Sequence, residues 1–234
     1  MEPLVIDVGG THVKLGARCV EETVEFDSGP KLTPQILVHE VKKHTKGWKF
    51  DRISLGIPAL VKSGRVVADP GNLHRGWVGY NFRTAFRKPV RIINDAALQA
   101  LGSYDGGRML FLGFGTGVGS VLVSQWVIVP LELGDLVIRK KILSERLGRD
   151  GYKRLGKKKW RKAVLETAEM LQKAFAADYV VLGGGKAGEG RLDPLPRGFR
   201  GGGNHDAITG GYRLWEQTVE PHDRRPSDAW RVLH

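Results

Sequence analysis

The stretch Val5–Gly16, VIDVGGTHVKLG, decides the fold of this chain. Two adjacent glycines and a threonine stand between two short apolar runs, a pattern that predicts two strands joined by a tight turn. Because glycine has no Cβ, backbone N–H groups in such a turn can converge on an anion, and the turn is a candidate phosphate-binding loop. Asp7 precedes the turn and could hold Mg²⁺, and Lys14 follows it with a positive charge. Taken alone, such a sequence is more often a plain turn than a ligand site.

The same pattern returns at residues 108–123, RMLFLGFGTGVGSVLV, about a hundred residues later. This repetition favours an α/β fold with two duplicated lobes. Between the two turns, helices are predicted with Thr33 and Asn94 as N-caps and with Pro34 at the first helical position. An amphipathic helix is predicted from Lys158 to Ala177. We expect an N-terminal lobe over residues 1–98, a C-terminal lobe over residues 99–204, and a last helix at about 205–220 that packs back on the first lobe.

A third glycine cluster, Gly183 to Gly185, ends the predicted strand DYVVLGGG. The chain has no G-x-x-x-x-G-K-[ST] sequence, which excludes a P-loop NTPase. Gly183, Gly185 and Gly188 fit a dinucleotide-binding G-x-G-x-x-G, but the sequence that follows is a poor helix, and that motif needs a helix N-terminus. Three glycine loops can enclose one nucleotide, with two on the phosphates and one beside the base.

Composition limits the remaining possibilities. The 234 residues have a single cysteine, Cys19, and neither a secretory signal pattern nor a long apolar run, so we expect a cytoplasmic protein that does not bind membranes. The net charge of +12 comes mainly from residues 139–162, which hold twelve Lys or Arg and two acidic residues. This segment is either a solvated, lid-like helical surface or a site for a polyanion.

The ordered set of motifs resembles the ROK family of sugar kinases, within the actin-like ATPase superfamily. DVGGTHVKLG resembles the first phosphate loop of that superfamily, GFGTGVGSVLV the second and VVLGGG the adenosine loop, while IINDAALQA resembles the ROK catalytic segment and LELGD stands where the family has E-x-G-H. The resemblance extends from about residue 4 to about residue 215 and is nearest to the compact polyphosphate glucokinase branch. It implies a two-lobed, ribonuclease H-like fold of mixed sheets flanked by helices, with a cleft between the lobes.

The resemblance also implies a role for each motif residue. Asp95 would be the general base that accepts the proton of the attacking sugar hydroxyl, and its place in the first turn of a helix favours the ionised form. The residues expected to bind the sugar are Asn72, Asn94, Glu132 and Asp135. Those expected to bind the phosphoryl donor are Asp7, Gly9, Gly10, Thr11, Lys14, Gly115, Thr116, Gly117, Gly183, Gly184 and Gly185.

The implied activity is phosphoryl transfer from ATP, polyphosphate or both to a hexose, most simply to the 6-hydroxyl of glucose. Mg²⁺ is the expected cofactor, with Asp7 in its coordination shell, and a homodimer without nucleic acid is the expected assembly. Asp135 departs from the family pattern, since an aspartate replaces the histidine and cannot donate a hydrogen bond when ionised. A sugar-responsive regulator and a degenerate kinase without turnover are the alternatives.

Overall fold

The structure, a computed structural model, describes residues 2–138, 140–185, 187, 191–203, 205–216 and 230–231. The strands are β1 Pro3–Val8, β2 His12–Gly16, β3 Val24–Asp27, β4 Arg52–Ile57, β5 Val61–Lys62, β6 Arg65–Val66, β7 Val90–Asn94, β8 Arg108–Phe114, β9 Val118–Ser124, β10 Val127–Leu131, β11 Val137–Ile138, β12 Lys141–Ile142, β13 Tyr179–Gly183, β14 Phe199–Gly201 and β15 Trp230–Arg231. The α-helices are α1 Pro34–His44, α2 Phe82–Phe86, α3 Asp95–Ser103, α4 Leu143–Leu147, α5 Arg149–Ala174 and α6 Asp206–Glu216, and a 3₁₀ turn covers Leu133–Asp135.

The first large sheet has the strand order β3-β2-β1-β4-β7. Strand β1 pairs antiparallel with β2 and parallel with β4, and all of its residues are buried. The register places Asp7 opposite Lys14, so these two residues flank the first glycine turn as neighbours on adjacent strands. The predicted strand–turn–strand unit is therefore confirmed, and it lies in the middle of a mixed sheet.

The second large sheet repeats this topology. Its order is β14-β13-β8-β9-β10-β15, in which β8 pairs antiparallel with β9 and parallel with β13. Strands β8, β9, β10, β13 and β14 thus correspond in order and direction to β1, β2, β3, β4 and β7. The repetition of the glycine-turn pattern in the sequence reflects a repetition of the fold.

Helices α3 and α6 pack between the two sheets. Their shared core contains Val5 of the first sheet and Phe111 of the second, together with apolar residues of both helices. The helices approach closely at glycines, because a Cβ at Gly102 or Gly210 would overlap backbone atoms of the opposite helix. Helix α6 also contacts the first sheet, where the Ser54 hydroxyl donates to the carbonyl of Gly211 at 2.6 Å. Of the last helix predicted for about 205–220, residues 217–220 lie outside the described residues.

Helix α5 is longer than the sequence predicts. It begins at Arg149 instead of Lys158 and ends at Ala174, and Gly156 interrupts it with a φ of 70°. This break hides the helical periodicity of the first part, which explains the late predicted start. The predicted apolar face is confirmed at Trp160 and Leu171, which are buried. Within the described residues, none of the helices combines the length and the apolar character that a membrane span requires.

Candidate active site

A cleft of about 1110 Å³ lies between the two sheets, at the ends of β1 and β8 where both glycine turns stand. The sequence-predicted site residues come together in it, with the exception of Gly183. The residues that line it are Asp7, Gly9, Gly10, Thr11, Lys14, Asn72, Asn94, Asp95, Gly115, Thr116, Gly117, Glu132, Asp135, Gly184 and Gly185.

The first glycine turn is held closed by its own backbone and by the next loop. The N–H of Gly9 donates to the carbonyl of His12 at 2.9 Å, and the Ser28 hydroxyl donates to the carbonyl of Gly9 at 2.7 Å. Gly10 faces the opposite wall of the cleft, since a Cβ there would lie 2.7 Å from Thr116 Oγ1 and 2.8 Å from Asn72 Nδ2. The two turns therefore lie close to each other across the cleft at this residue.

The second glycine turn is anchored to the start of α5. The backbone N–H of Arg149 donates to the carbonyl of Gly115 at 3.0 Å, and its guanidinium donates to Thr116 Oγ1 at 3.1 Å. On the other side of the turn, Ser144 Oγ accepts from the N–H of Val118 at 3.1 Å. A Cβ at Gly115 would meet nothing within 4 Å, so the turn is open toward the cleft at that residue.

Asp95 lies on the floor of the cleft as the first residue of α3. Burial raises the pKa of its carboxyl from 3.8 to about 6, the backbone N–H groups of Ala96 and Asp95 oppose that rise, and the charge of Glu132 adds to it. The carboxylate is thus mainly ionised at neutral pH and retains a useful basicity, because a base with a pKa near the working pH is both charged and able to accept a proton.

Asn94 positions that carboxylate by capping the helix. Its side-chain oxygen accepts from the N–H groups of Ala96 at 2.9 Å and Ala97 at 3.2 Å, and its amide nitrogen donates to the carbonyl of Ala59 at 3.2 Å. One N–H of the side-chain amide remains for a ligand after these contacts. Asn94 therefore has a structural task in addition to the predicted contact with the sugar.

Asp7 is a buried acid beside the first turn. Burial raises the pKa of its carboxyl from 3.8 to about 7, with a further contribution from the charge of Asp95, and Lys14 opposes the rise. Lys14 itself pairs with Glu25, with 3.4 Å between Nζ and Oε1. Asp7 Oδ1 has no hydrogen-bond partner among the described residues, although it is fully enclosed. A buried, unpartnered carboxylate oxygen costs free energy, so its retention calls for a cation or a donor that binds there.

The polar residues of one end of the cleft come from two loops. Glu132 precedes the 3₁₀ turn that carries Asp135, and both side chains are exposed to the cleft. Asn72 lies opposite, in a loop that Asp69 holds by accepting from three consecutive N–H groups, of which that of Trp77 is nearest at 2.8 Å. Carboxylates and an amide can each contact neighbouring hydroxyls, as a polyol requires.

Glycines form the other end of the cleft, where Gly184, Gly185, Gly202 and Gly203 line the wall. A Cβ at Gly184 would lie 2.7 Å from the backbone nitrogen of Phe114. Gly183 is buried behind this wall, where a Cβ would meet the ring of Phe111 at 2.6 Å, so its lack of a side chain serves packing. Of the G-x-G-x-x-G residues, Gly188 lies outside the described residues.

Known proteins share this architecture, although no family model matches the chain. A polyphosphate glucokinase from Mycobacterium tuberculosis is 27% identical over an alignment 203 positions long, which covers 77% of this chain and 76% of that protein. The inorganic polyphosphate/ATP-glucomannokinase of Arthrobacter sp. strain KM superposes with a TM-score of 0.75 at 20% identity, over 89% of this chain and 96% of that one. A ROK family glucokinase from Streptomyces griseus, solved with glucose and AMPPNP, gives a TM-score of 0.69 at 16% identity, over 92% and 99%.

The chain has the fold of the ROK-family sugar kinases. The predicted α/β class, with mixed sheets flanked by helices, is thereby confirmed. In this ROK-type cleft, the two glycine turns occupy equivalent places in two sheets of the same topology, and Asp95 lies between them.

Sequence reasoning missed several residues of the ROK-type cleft. Arg149 was part of the predicted basic segment, but nothing local in the sequence indicates its contact with Thr116. Gly202 and Gly203 belong to a glycine cluster that is visible in the sequence and was given no role. Asp69 could have been found, because an aspartate before Pro-Gly is typical of a residue that accepts from loop N–H groups.

Proposed function

We propose that this protein is a hexose kinase that transfers a terminal phosphoryl group from ATP, inorganic polyphosphate or both to a hexose hydroxyl, most simply the 6-hydroxyl of glucose. The observation that carries the proposal is the arrangement of Gly10, Thr116 and Asp95, with two glycine turns face to face and a carboxylate of raised pKa on the floor between them. The names of the related proteins, which include polyphosphate glucokinase and a ROK family glucokinase, support the same activity.

Different residues of the cleft would bind the phosphates, bind the sugar and accept the proton. Backbone N–H groups of the two turns would bind the terminal phosphates, because positioning and charge stabilisation are most of what phosphoryl transfer requires of a protein. Asn72, Glu132 and Asp135 would hold the sugar hydroxyls in the same cleft, with Asn72 beside Gly10 of the first turn. Asp95 would accept the proton of the attacking hydroxyl, which leaves the oxygen free to bond the phosphorus.

Mg²⁺ fits beside the first glycine turn. Asp7 Oδ1 is a hard oxygen ligand that is buried and has no partner among the described residues. No group of three or more His, Cys, Asp or Glu able to hold a metal occurs in the described part of the chain, so Asp7 would act with water and donor phosphates, as is usual for this ion. When bound, Mg²⁺ would neutralise charge that develops on the transferred phosphoryl group.

The purine of ATP would lie against the wall of glycines. Gly184, Gly185, Gly202 and Gly203 line the cleft there, and a Cβ at Gly185 would meet nothing within 4 Å, so a flat ring can approach the backbone at that residue. Gly183 would contribute indirectly, by admitting the ring of Phe111 behind that wall.

We also infer that the two sheets belong to two lobes, with the division near residue 98 and with α6 returning to the first lobe. The shared topology and the cleft between the sheets support this division. Homodimerisation, a cytoplasmic location and the absence of nucleic acid from the partners stay predictions. The related proteins found by sequence are named as kinases, and these names do not favour the alternative of a sugar-responsive regulator.

A coupled assay for hexose phosphate tests the proposal, with glucose and other hexoses against ATP and polyphosphate. We expect Asp95→Asn to lower kcat by about 10²- to 10⁴-fold, the usual contribution of a general base. Asp51→Asn is the matched control, because Asp51 pairs with Arg52 at the start of β4 and does not line the cleft. Absence of turnover with every hexose and donor, or full activity of Asp95→Asn, would refute the proposal.

A further inference from the structure

The basic residues of α5 begin inside the cleft. Arg149, at the first position of that helix, lines the cleft and donates to Thr116 of the second glycine turn at 3.1 Å. The helix start is locked against this turn, because a Cβ at Gly148 would lie 2.5 Å from the carbonyl oxygen of Thr116. A cation is thus fixed in the cleft beside the second glycine turn.

Four lysines continue the positive charge along the outer surface of α5. Lys153, Lys157, Lys158 and Lys159 are exposed, and none has an ion-pair partner among the described residues. Lys162 differs, since it lies 3.8 Å from Glu166. Together the four ammonium groups form a concentration of positive charge without ion pairs among the described residues.

The break at Gly156 divides this charge into two parts. Gly156 has a φ of 70° and ψ of 164°, and a Cβ there would meet nothing within 4 Å. Lys157 to Lys159 open the second part of the helix directly after the break. Arg149 and Lys153 belong to the part of the helix before the break, and Lys157 to Lys159 belong to the part after it.

The aromatic residues of the segment argue against a nucleic acid as the ligand. Tyr152 and Trp160 pack edge to face with 5.2 Å between ring centroids, and the indole N–H of the buried Trp160 donates to the carbonyl of Leu147 at 2.8 Å. Both rings are thereby used inside the protein. Proteins that bind single-stranded nucleic acid present aromatic rings for stacking, and residues 140–162 present none.

We propose that Arg149 with Lys153 and Lys157–Lys159, together the basic track, binds the internal phosphates of inorganic polyphosphate while its terminal phosphoryl group lies between the glycine turns. The proposal rests on the proposed function and deepens it, because it assigns the donor class and the place of the donor tail. Of the two donors considered, only a linear polyphosphate can place its terminal phosphoryl group in the cleft and further phosphates outside it, beside the lysines. ATP has no phosphates to place on the lysines.

The test compares two triple variants that each remove three positive charges. Lys157→Gln with Lys158→Gln and Lys159→Gln changes the basic track, and Lys42→Gln with Lys46→Gln and Lys49→Gln changes exposed lysines in and after α1. We expect the first variant to raise KM for long-chain polyphosphate about tenfold or more, with kcat and the KM values for ATP and tripolyphosphate within about twofold of the parent. When the logarithm of the binding constant for long-chain polyphosphate is plotted against the logarithm of the salt concentration, the steepness of the decrease should fall by roughly 2 to 3 for this variant only.

Further outcomes separate the track from the proposed function. An unchanged KM for long-chain polyphosphate, an equal effect of both triple variants, or turnover with ATP but not with polyphosphate would overturn the track and leave the kinase intact. Without turnover on any donor the kinase proposal fails, and binding of labelled polyphosphate to the two variants then reports on the track alone. Tighter binding of an RNA oligonucleotide of equal charge to the same lysines would also overturn it.

Discussion

Gly10 and Thr116 lie in the glycine turns of two different sheets and face each other across the cleft, where a Cβ at Gly10 would lie 2.7 Å from the Thr116 hydroxyl oxygen. The contact joins the two glycine turns whose similarity is visible in the sequence. It also means that space for a phosphoryl group between the turns depends on the missing side chain of Gly10.

We therefore expect Gly10→Ala to lower kcat/KM by about 10²-fold, the loss that a misplacement of about 1 Å can cause. The folded state should survive, because the atoms that a methyl group would meet belong to the side chains of Thr116 and Asn72. Gly201→Ala is the control, since its Cβ would make only an ordinary contact of 3.9 Å with Leu195. Steady-state kinetics and the melting temperature of both variants test this prediction. Equal values of kcat/KM for Gly10→Ala and Gly201→Ala would contradict it.

The pH dependence of the reaction follows from Asp95. Its pKa is raised to about 6, first by burial and also by the charge of Glu132. Because the base must be deprotonated, kcat/KM should increase with pH through about 6 and reach a plateau near pH 8. In Glu132→Gln the repulsion between carboxylates is lost, so the midpoint of this increase should move to lower pH. A pH–rate profile of both proteins measures the shift, and an unmoved midpoint would speak against the coupling.

The features that the sequence predicts correctly are those that depend on residues close together in the chain. The cap at Asn94 and the start of α1 at Pro34 depend on one or two residues, and both are confirmed. The cleft contacts of Arg149 were not predictable, because residues 116 and 149 are distant in the chain and meet only through packing. The start of α5 was missed for a related reason, since Gly156 breaks the periodicity that identifies a helix.

Asp135 allows a test of sugar choice. An ionised aspartate only accepts hydrogen bonds, whereas a histidine can also donate one. We expect Asp135→His to change the ratio of kcat/KM between two hexoses by about tenfold or more, which one hydrogen bond in a polar site can supply. The KM for the donor should stay the same, because the proposed partner of Asp135 is a sugar hydroxyl and not a phosphate. A panel of hexoses at fixed ATP measures this ratio, and a uniform effect on all sugars would contradict a role in choice.

Asn94 stabilises the folded protein by capping α3, and this effect can be measured independently of any contact with sugar. Its side chain accepts from two N–H groups at the start of α3, and loss of such a cap costs about 1 kcal/mol. Asn94→Ala should lower the free energy of unfolding by about that amount, and Asn94→Ser should retain most of it because serine also caps helices. Urea denaturation of the three proteins compares them. Equal losses for alanine and serine would show that the cap is not the cause.

We expect the buried carboxyl of Asp7 to lower the stability of the folded protein while it is needed for activity. Its pKa is about 7 in the folded protein, raised mainly by burial, against about 3.9 in an unfolded chain. Between these values the folded state binds a proton that the unfolded state has lost, so the residue lowers stability progressively as the pH rises and reaches its full cost above about 7. Asp7→Asn should escape this cost, and its advantage in unfolding free energy should grow by roughly 2–3 kcal/mol between about pH 5 and pH 8.

Asp51→Asn provides the comparison for that series, because it removes a carboxyl that pairs with Arg52 and does not line the cleft. A difference between Asp7→Asn and the parent that stays constant with pH would contradict the raised pKa. The variant should gain stability and lose turnover, since the unpartnered Oδ1 of Asp7 is the oxygen proposed to bind Mg²⁺. A protein that keeps such a group at a cost to its folded state does so for what the group binds, and added Mg²⁺ with donor should raise the melting temperature of the parent more than that of Asp7→Asn.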